Sequence, residues 1–240
     1  MTEVFAHRGS CLKAVENTVA AFLEARTLGA DGVELDVHLT SEGEVVVHHD
    51  AEVPGLGRIS QLKWELLPDW FPSLTEAFDA CAPLKVIVEI KQDEPGTASE
   101  VDRKLATTVA SLLAERADKQ RAIVSSFSMA VLDIVREEAP SLATALLVHP
   151  TSGAREALAA SLEHGHFGLH PFFAFADAAL INEAKRLGVG VRAWTVDDPL
   201  KIAELADLGV DAVITNDVET ARRALKRFHH PSAGFPLYGD

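Results

Sequence analysis

The stretch "VELDVHLTSEGEVVVHHD" (Val33 to Asp50) decides how the chain is read. It holds two runs rich in β-branched residues, "GVELDV" and "VVVHH", separated only by the turn-like "TSEGE". So short a link joins antiparallel strands; parallel neighbours need a crossover of about a dozen residues or more. The pair therefore reads as a hairpin. Other runs with strand character are "VFAHR", "KVIVEI", "AIVSSF", "TALLVH", "HFGLH", "GVRAWTV" and "DAVITN". Between most of them lie Ala/Leu/Glu-rich stretches with helical spacing, such as "ENTVAAFLEARTLG", "ASEVDRKLATTVASLLAERA" and "DPLKIAELADLG". Several close on a glycine (Gly29, Gly188, Gly209), as helix C-termini often do. Setting aside the extra hairpin strand leaves as many strand–helix units as close a TIM-type (β/α)8 barrel of the α/β class. An open doubly wound sheet is the alternative. No G-x-G-x-x-G or Walker loop follows the first strand, which removes its common nucleotide-binding forms.

The expected organisation is a single barrel domain over residues 1–240. Residues 51–83 form a small loop insertion with one helix starting near Ser73, and the tail "HHPSAGFPLYGD" is irregular. The chain has 240 residues, 48% hydrophobic and 24% charged, enough to bury a core without disulfides. A net charge of −14 with no basic block argues against nucleic acid and anionic membranes as partners. Cys11 and Cys81 read as free thiols. No signal peptide or membrane-spanning run is evident, so a cytoplasmic location without stable membrane association is expected.

Alternation assigns the faces. Glu34, Asp36 and His38 share one side of their strand, opposite Val33, Leu35 and Val37; Glu89 and Lys91 share a side with Ile87. In a barrel the apolar side packs on helices and the polar set points inward, near the carboxyl ends where barrel active sites are built. Glu34, Asp36 and Glu89 would then converge. Three adjacent carboxylates repel unless protonated or neutralised, and a hard divalent cation, Mg²⁺ or Ca²⁺, relieves this. Buried ion pairs with Lys91, Arg8 or Arg192 are the alternative. His7 closes the first strand and His49 ends the hairpin, and a pair of histidines beside a phosphate can serve as general base and acid. Spacing does not choose between His48 and His49. His149, His164, His166, His229 and His230 read as structural. Phe172, Phe173 and Phe175 follow the sixth barrel strand and either pack the next helix or wall the site.

The pieces "AHRGS", "ENT", "GADGVELDVHLTSEGEVVVHHD", "VIVEIK", "SSF", "AWTV" and "GVDAVITND" occur in an order and spacing that resembles the glycerophosphodiester phosphodiesterase family across nearly the whole chain. The resemblance implies a TIM-type barrel with one divalent cation on Glu34, Asp36 and Glu89, and His7 with His49 as the acid/base pair. It selects His49 because the family histidine directly precedes the aspartate, here Asp50. It implies Arg8 and Lys91 on the phosphate, Trp194 lining the pocket, and Glu16 and Asn17 bracing the first loop. The implied activity is hydrolysis of small glycerophosphodiesters to glycerol 3-phosphate and an alcohol. The chain departs from the family after Asp50, where "AEVPGLGRIS" retains only Arg58 and Ser60 of the usual stretch. It departs again at "TND", which leaves Asn216 and Asp217 without a role. A lyase or lysophospholipid-cleaving barrel and a non-catalytic phosphodiester binder are the rival readings.

Overall fold

The structure, a computed structural model, describes residues 1–93 and 97–228. The tail with His229 and His230 lies outside the described residues. The elements run β1 (Glu3–His7), α1 (Val19–Thr27), β2 (Gly32–Leu39), β3 (Val45–Val47), β4 (Glu52–Val53), β5 (Gly57–Arg58), α2 (Leu74–Ala80), β6 (Lys85–Ile90), α3 (Glu100–Ala114) and β7 (Ala122–Ser126). They continue α4 (Met129–Glu138), β8 (Ala143–Val148), α5 (Ala154–Glu163), β9 (Gly168–Pro171), α6 (Ala178–Arg186), β10 (Gly190–Ala193), α7 (Pro199–Asp207), β11 (Ala212–Thr215) and α8 (Val218–Phe228). Eight of the strands, all but β3, β4 and β5, are parallel, and β1 pairs with both β2 and β11, which closes the barrel. The expected fold is the one found.

β3 runs antiparallel on β2, with Val37 opposite Val47 and Leu39 opposite Val45. It is the extra hairpin strand read from the quoted stretch. Residues 51–83 hold the small hairpin β4–β5, two 3₁₀ turns and α2. The expected start of α2 at Ser73 holds, through a capping box. The Ser73 hydroxyl accepts from the Glu76 amide, and the Glu76 carboxylate accepts from the Ser73 amide. Arg58 ties the small hairpin to the loop after β6 through the Asp93 carbonyl at 2.5 Å. Gly29, Gly188 and Gly209 stand at φ +76, +75 and +84 after α1, α6 and α7, the left-handed stops that their positions suggested.

Strand register stacks the inward side chains in layers of four from alternate strands. The lowest layer is Gly32, Ile123, Gly168 and Ala212; above it lie Phe5, Ile87, Ala145 and Arg192. The apolar members of these layers pack together with Ile214. A Cβ on Gly32 would sit 2.2 Å from the Phe5 ring, so only glycine admits the phenyl group that fills this end. The next layer is Glu34, Ser125, His170 and Ile214, and the uppermost is His7, Glu89, Leu147 and Trp194. Outward residues such as Val33, Leu35, Val86 and Val88 are buried under the helices. Among the described residues no helix is long and apolar enough to cross a membrane. Cys11 and Cys81 are both unpaired.

Candidate active site

The upper layers gather the polar residues that strand alternation turned inward. One carboxylate oxygen from each of Glu34, Asp36 and Glu89 lies within 4.8 Å of the others, and all three residues are buried. At an effective dielectric of about 20, like charges about 4 Å apart repel by roughly 4 kcal/mol per pair. Two cations offset most of this. The Lys91 ammonium lies 2.9 Å from Asp36 Oδ1 and 2.5 Å from Glu89 Oε1, and Arg8 Nε lies 3.5 Å from Asp36 Oδ2. Lys91 serves Asp36 and Glu89, and Arg8 is shared between Asp36 and Glu16, so among the described residues Glu34 is the triad member with no lysine or arginine side chain paired to it. Glu34 Oε1 is buried without a hydrogen-bond partner. Burial, then Asp36 and Glu89, hold the Glu34 carboxyl well above the usual range. Burial raises Glu89 to about 7 against the pull of Lys91. Asp36 also suffers burial, but Lys91, Arg8 and Asn17 outweigh it and keep this carboxyl below its ordinary value. An oxygen-only set of three buried carboxylates, one with an unpartnered oxygen, fits a hard divalent cation. The alternative of closed ion pairs does not account for Glu34. Arg192 takes no part, because its layer lies at the other end of the barrel.

The loop after β1 brings Arg8 and Asn17 to this cluster by an uncommon route. Both adopt left-handed backbone, φ 56 and 55, although neither is glycine. Such residues cost of order 1–3 kcal/mol each and persist where surroundings over-determine them. Here the Asn17 amide donates to the Arg8 carbonyl at 2.9 Å. Asn17 Nδ2 donates to Asp36 Oδ2 at 2.8 Å, the Arg8 amide donates to Glu34 Oε2 at 3.1 Å, and the Arg8 guanidinium pairs with Glu16 at 2.9 Å. Thr18, the last residue of "ENT", caps α1 by accepting from the Ala21 amide. Glu16 and Asn17 thus sit behind Arg8 and Asp36, where the first loop is held.

The two histidines face the same space with their Nδ1 atoms engaged. His7 Nδ1 lies 2.8 Å from Asn216 Oδ1. Asn216 cannot present its amide nitrogen there, because Nδ2 donates to Asp197 at 2.8 Å. His7 therefore carries its proton on Nδ1 and turns the Nε2 lone pair inward, 4.0 Å from Glu34. Burial, together with Arg8 and Lys91, lowers its pKa against the hydrogen bond to Asn216, so the ring is neutral. His49 follows the end of β3; its Nδ1 is 2.7 Å from the Asp50 carboxylate. His38 Nε2 donates to the His49 carbonyl at 3.0 Å and holds that turn in place. His48 instead stacks on Phe71, ring centroids 4.3 Å apart.

A cavity of about 280 Å³ joins these groups, with His7, Arg8, Glu34, His49, Glu89, Lys91 and Trp194 in its lining. Its floor includes Ser125 and His170, both buried, with the Ser125 hydroxyl and both His170 ring nitrogens unpartnered. Phe127 and Trp194 form an edge-on aromatic wall, centroids 5.6 Å apart. Trp194 Nε1 donates to the His170 carbonyl at 2.7 Å. The phenylalanines of the β9–α6 connection do not line the cavity. Phe173 packs half-buried against the core, and Phe172 backs the Trp194 ring at 5.9 Å. Sequence reading gave no role to Ser125 and Phe127 of "SSF" or to Asn216 of "TND", missed His170 and the support from His38, and read as structural His149, which lines the cavity. His38 carried a signal of its own, its shared face with Glu34 and Asp36.

Residues 7–220 match the profile of the glycerophosphoryl diester phosphodiesterase family. A glycerophosphodiester phosphodiesterase of Caldanaerobacter subterraneus is 33% identical over 91% of this chain and 96% of its own length. A solved glycerophosphodiester phosphodiesterase of Thermotoga maritima superposes with a TM-score of 0.78 at 26% identity, covering 93% of this chain and 98% of that one. A phosphodiesterase of Oleispira antarctica, solved in complex with the product sn-glycerol-3-phosphate, shares the fold at a TM-score of 0.81 and 24% identity, over 94% and 97% of the two chains. With the profile spanning most of the barrel and the Caldanaerobacter relative matched over nearly its full length, this chain belongs to the glycerophosphoryl diester phosphodiesterase family.

Proposed function

We propose that the protein hydrolyses small glycerophosphodiesters to glycerol 3-phosphate and an alcohol, with Glu34, Asp36 and Glu89 holding one divalent cation, Mg²⁺ or Ca²⁺. The observation that carries this reading is the meeting of His7, His49, Arg8, Lys91, Glu34 and Glu89 in the lining of one cavity, with Asp36 completing the buried carboxylate triad beside it. A bound cation would supply Lewis-acid charge to the phosphoryl oxygens. Arg8 and Lys91 would add fixed positive charge where negative charge develops. His7, neutral with Nε2 free, accepts the proton of the attacking hydroxyl as a new oxygen–phosphorus bond forms. His49, with Asp50 on its Nδ1 to stabilise the imidazolium, protonates the departing alkoxide as the old oxygen–phosphorus bond breaks. Glu16 and Asn17 position Arg8 and Asp36. Trp194 and Phe127 offer an apolar wall to the alcohol portion.

The test is release of glycerol 3-phosphate from glycerophosphocholine, before and after chelation and with Mg²⁺ or Ca²⁺ restored. Turnover should vanish on chelation and return with a divalent ion. Activity that survives exhaustive chelation, or none under any metal condition, overturns the assignment.

A further inference from the structure

At the opposite end of the barrel a cavity of about 310 Å³ opens among the N-terminal ends of β7 to β10. Arg136 on α4 and Arg192 on β10 both line it; Thr144, Leu142, Phe167 and Gly190 complete the parts that matter here. Among the described residues no aspartate or glutamate lines it. That is unexpected in a chain with 36 acidic and 22 basic residues.

Neither arginine has a carboxylate partner among the described residues. Arg192 Nε is buried with no hydrogen-bond acceptor. The carboxylates that face it, Asp211 and Glu3, are committed elsewhere. Glu3 pairs with Lys85 at 2.5 Å, and Asp211 accepts from the Val191 amide at 2.7 Å. Burial accordingly lowers the Arg192 pKa, only partly opposed by those two groups. The Arg136 guanidinium lies over Gly165, 2.9 Å from where a Cβ would stand. Asp133, one turn away on α4, is engaged by His164 and His166. A Cβ at Gly190 would approach Arg192 Nη1 to 3.3 Å, so the glycine leaves the guanidinium its space. Arg192 is half-buried with its Nε fully enclosed and lacking an acceptor, and an enclosed donor left unpaired is costly; paired planar forks suit phosphate oxygens.

We propose that this cavity binds a phosphate-headed small anion between Arg136 and Arg192, at the end of the barrel remote from the histidines. Two guanidiniums in the lining of one cavity, with no acidic side chain beside them there, suit the several oxygens of a phosphate better than a single carboxylate. Phosphate is smaller than the space available, and Leu142 with the exposed Phe167 gives an attached organic group an apolar surface.

Calorimetric titration of the full chain tests this, with inorganic phosphate, glycerol 3-phosphate and acetate as probes at matched ionic strength. Lys91→Ala removes a cation from the catalytic end and should leave the lower-end phosphate event intact. Arg136→Gln and Arg192→Gln should each weaken that event tenfold or more, and acetate should bind at least tenfold more weakly than phosphate. Because Arg136 is exposed, its variant keeps the test decisive even if Arg192→Gln fails to fold. Tighter binding of glycerol 3-phosphate than of phosphate would identify a phosphomonoester as the occupant; the reverse would identify free phosphate. Loss of all phosphate binding in Lys91→Ala, or binding unchanged in Arg136→Gln, overturns the site.

Discussion

The two ends of this barrel are built from the same strands on the same alternation, yet they bury opposite things. At the carboxyl ends Glu34, Glu89, Arg8, Lys91 and the histidines His7, His49, His149 and His170 line one cavity, with Asp36 buried beside it. At the amino ends Phe5, Ile87, Ile123, Ala145 and Ala212 pack as an apolar cluster, with Arg192 the charged member of those layers. The difference teaches where the chain invests stability and where it gives it up. The lower layers gain roughly 25 cal/mol per Å² of apolar surface removed from water. The upper layers hold strand carboxylates that repel, beside a loop with two left-handed non-glycine residues. Structure in the lower half should therefore govern folding, and structure in the upper half should govern chemistry.

The largest effect that would sharpen this contrast is at Glu34. Glu34→Gln should reduce turnover on the order of 10²–10⁴-fold. It should also abolish the thermal stabilisation that a divalent cation gives the chelated wild type, about 2.7 kcal/mol at a hundred times Kd. A variant still stabilised by Mg²⁺ or Ca²⁺ would move the cation elsewhere. Next comes the histidine pair. His49→Ala should lower kcat on the order of 10²–10⁴-fold. His48→Ala should change kcat only a few-fold but lose about 0.5–1.5 kcal/mol of stability with its stack on Phe71. Equal losses of rate in two folded variants would break the distinction between these neighbours.

The lower end should respond in the other way. Gly32→Ala drives a methyl group into the Phe5 ring, and overpacking of this kind costs about 1–3 kcal/mol. Denaturant unfolding should register that loss while kcat per folded molecule stays near wild type. A large fall in kcat without a fall in stability would contradict the division of labour. The smallest effect concerns Asp118, which precedes β7 and is held at about 2 by hydrogen bonds from Arg121 and Arg116. Its folded value lies below its unfolded one, so its contribution is present above about pH 4 and disappears as pH falls toward 2. Because the group is largely solvated, Asp118→Asn should cost under about 1 kcal/mol at neutral pH. Melting curves should converge with wild type near pH 2.

Much of this architecture was readable along the chain. The alternation in 33–39 and 85–90 assigned Glu34, Asp36 and Glu89 to one face, because a strand's period of two is local. The "TSEGE" turn isolated β3, and Ser73 announced α2 through its own capping chemistry. The His7–Asn216 bond was not readable, since it joins the first strand to the last and exists only because the barrel closes. The same holds for the Arg192 cavity. Alternation could turn Arg192 inward, but which layer it joined depended on register between strands far apart in sequence. The phenylalanines after β9 were left between packing and cavity wall for a related reason. Their position at the rim was right, but packing set Phe173 against the core and left Phe127, from another loop, on the cavity wall.

By itself, then, the sequence determined the strand–helix order, the inward and outward faces of each strand, and the residue types available for chemistry. These are consequences of local periodicity and capping. Tertiary structure decided the tautomer of His7, the isolation of Glu34 as the triad member with no lysine or arginine paired to it, the separation of His48 from His49, and the unpaired state of Arg192. Each of these depends on distances between groups from different strands. Electrostatic and hydrogen-bond energies fall off within a few ångströms, and only closure of the barrel sets those distances.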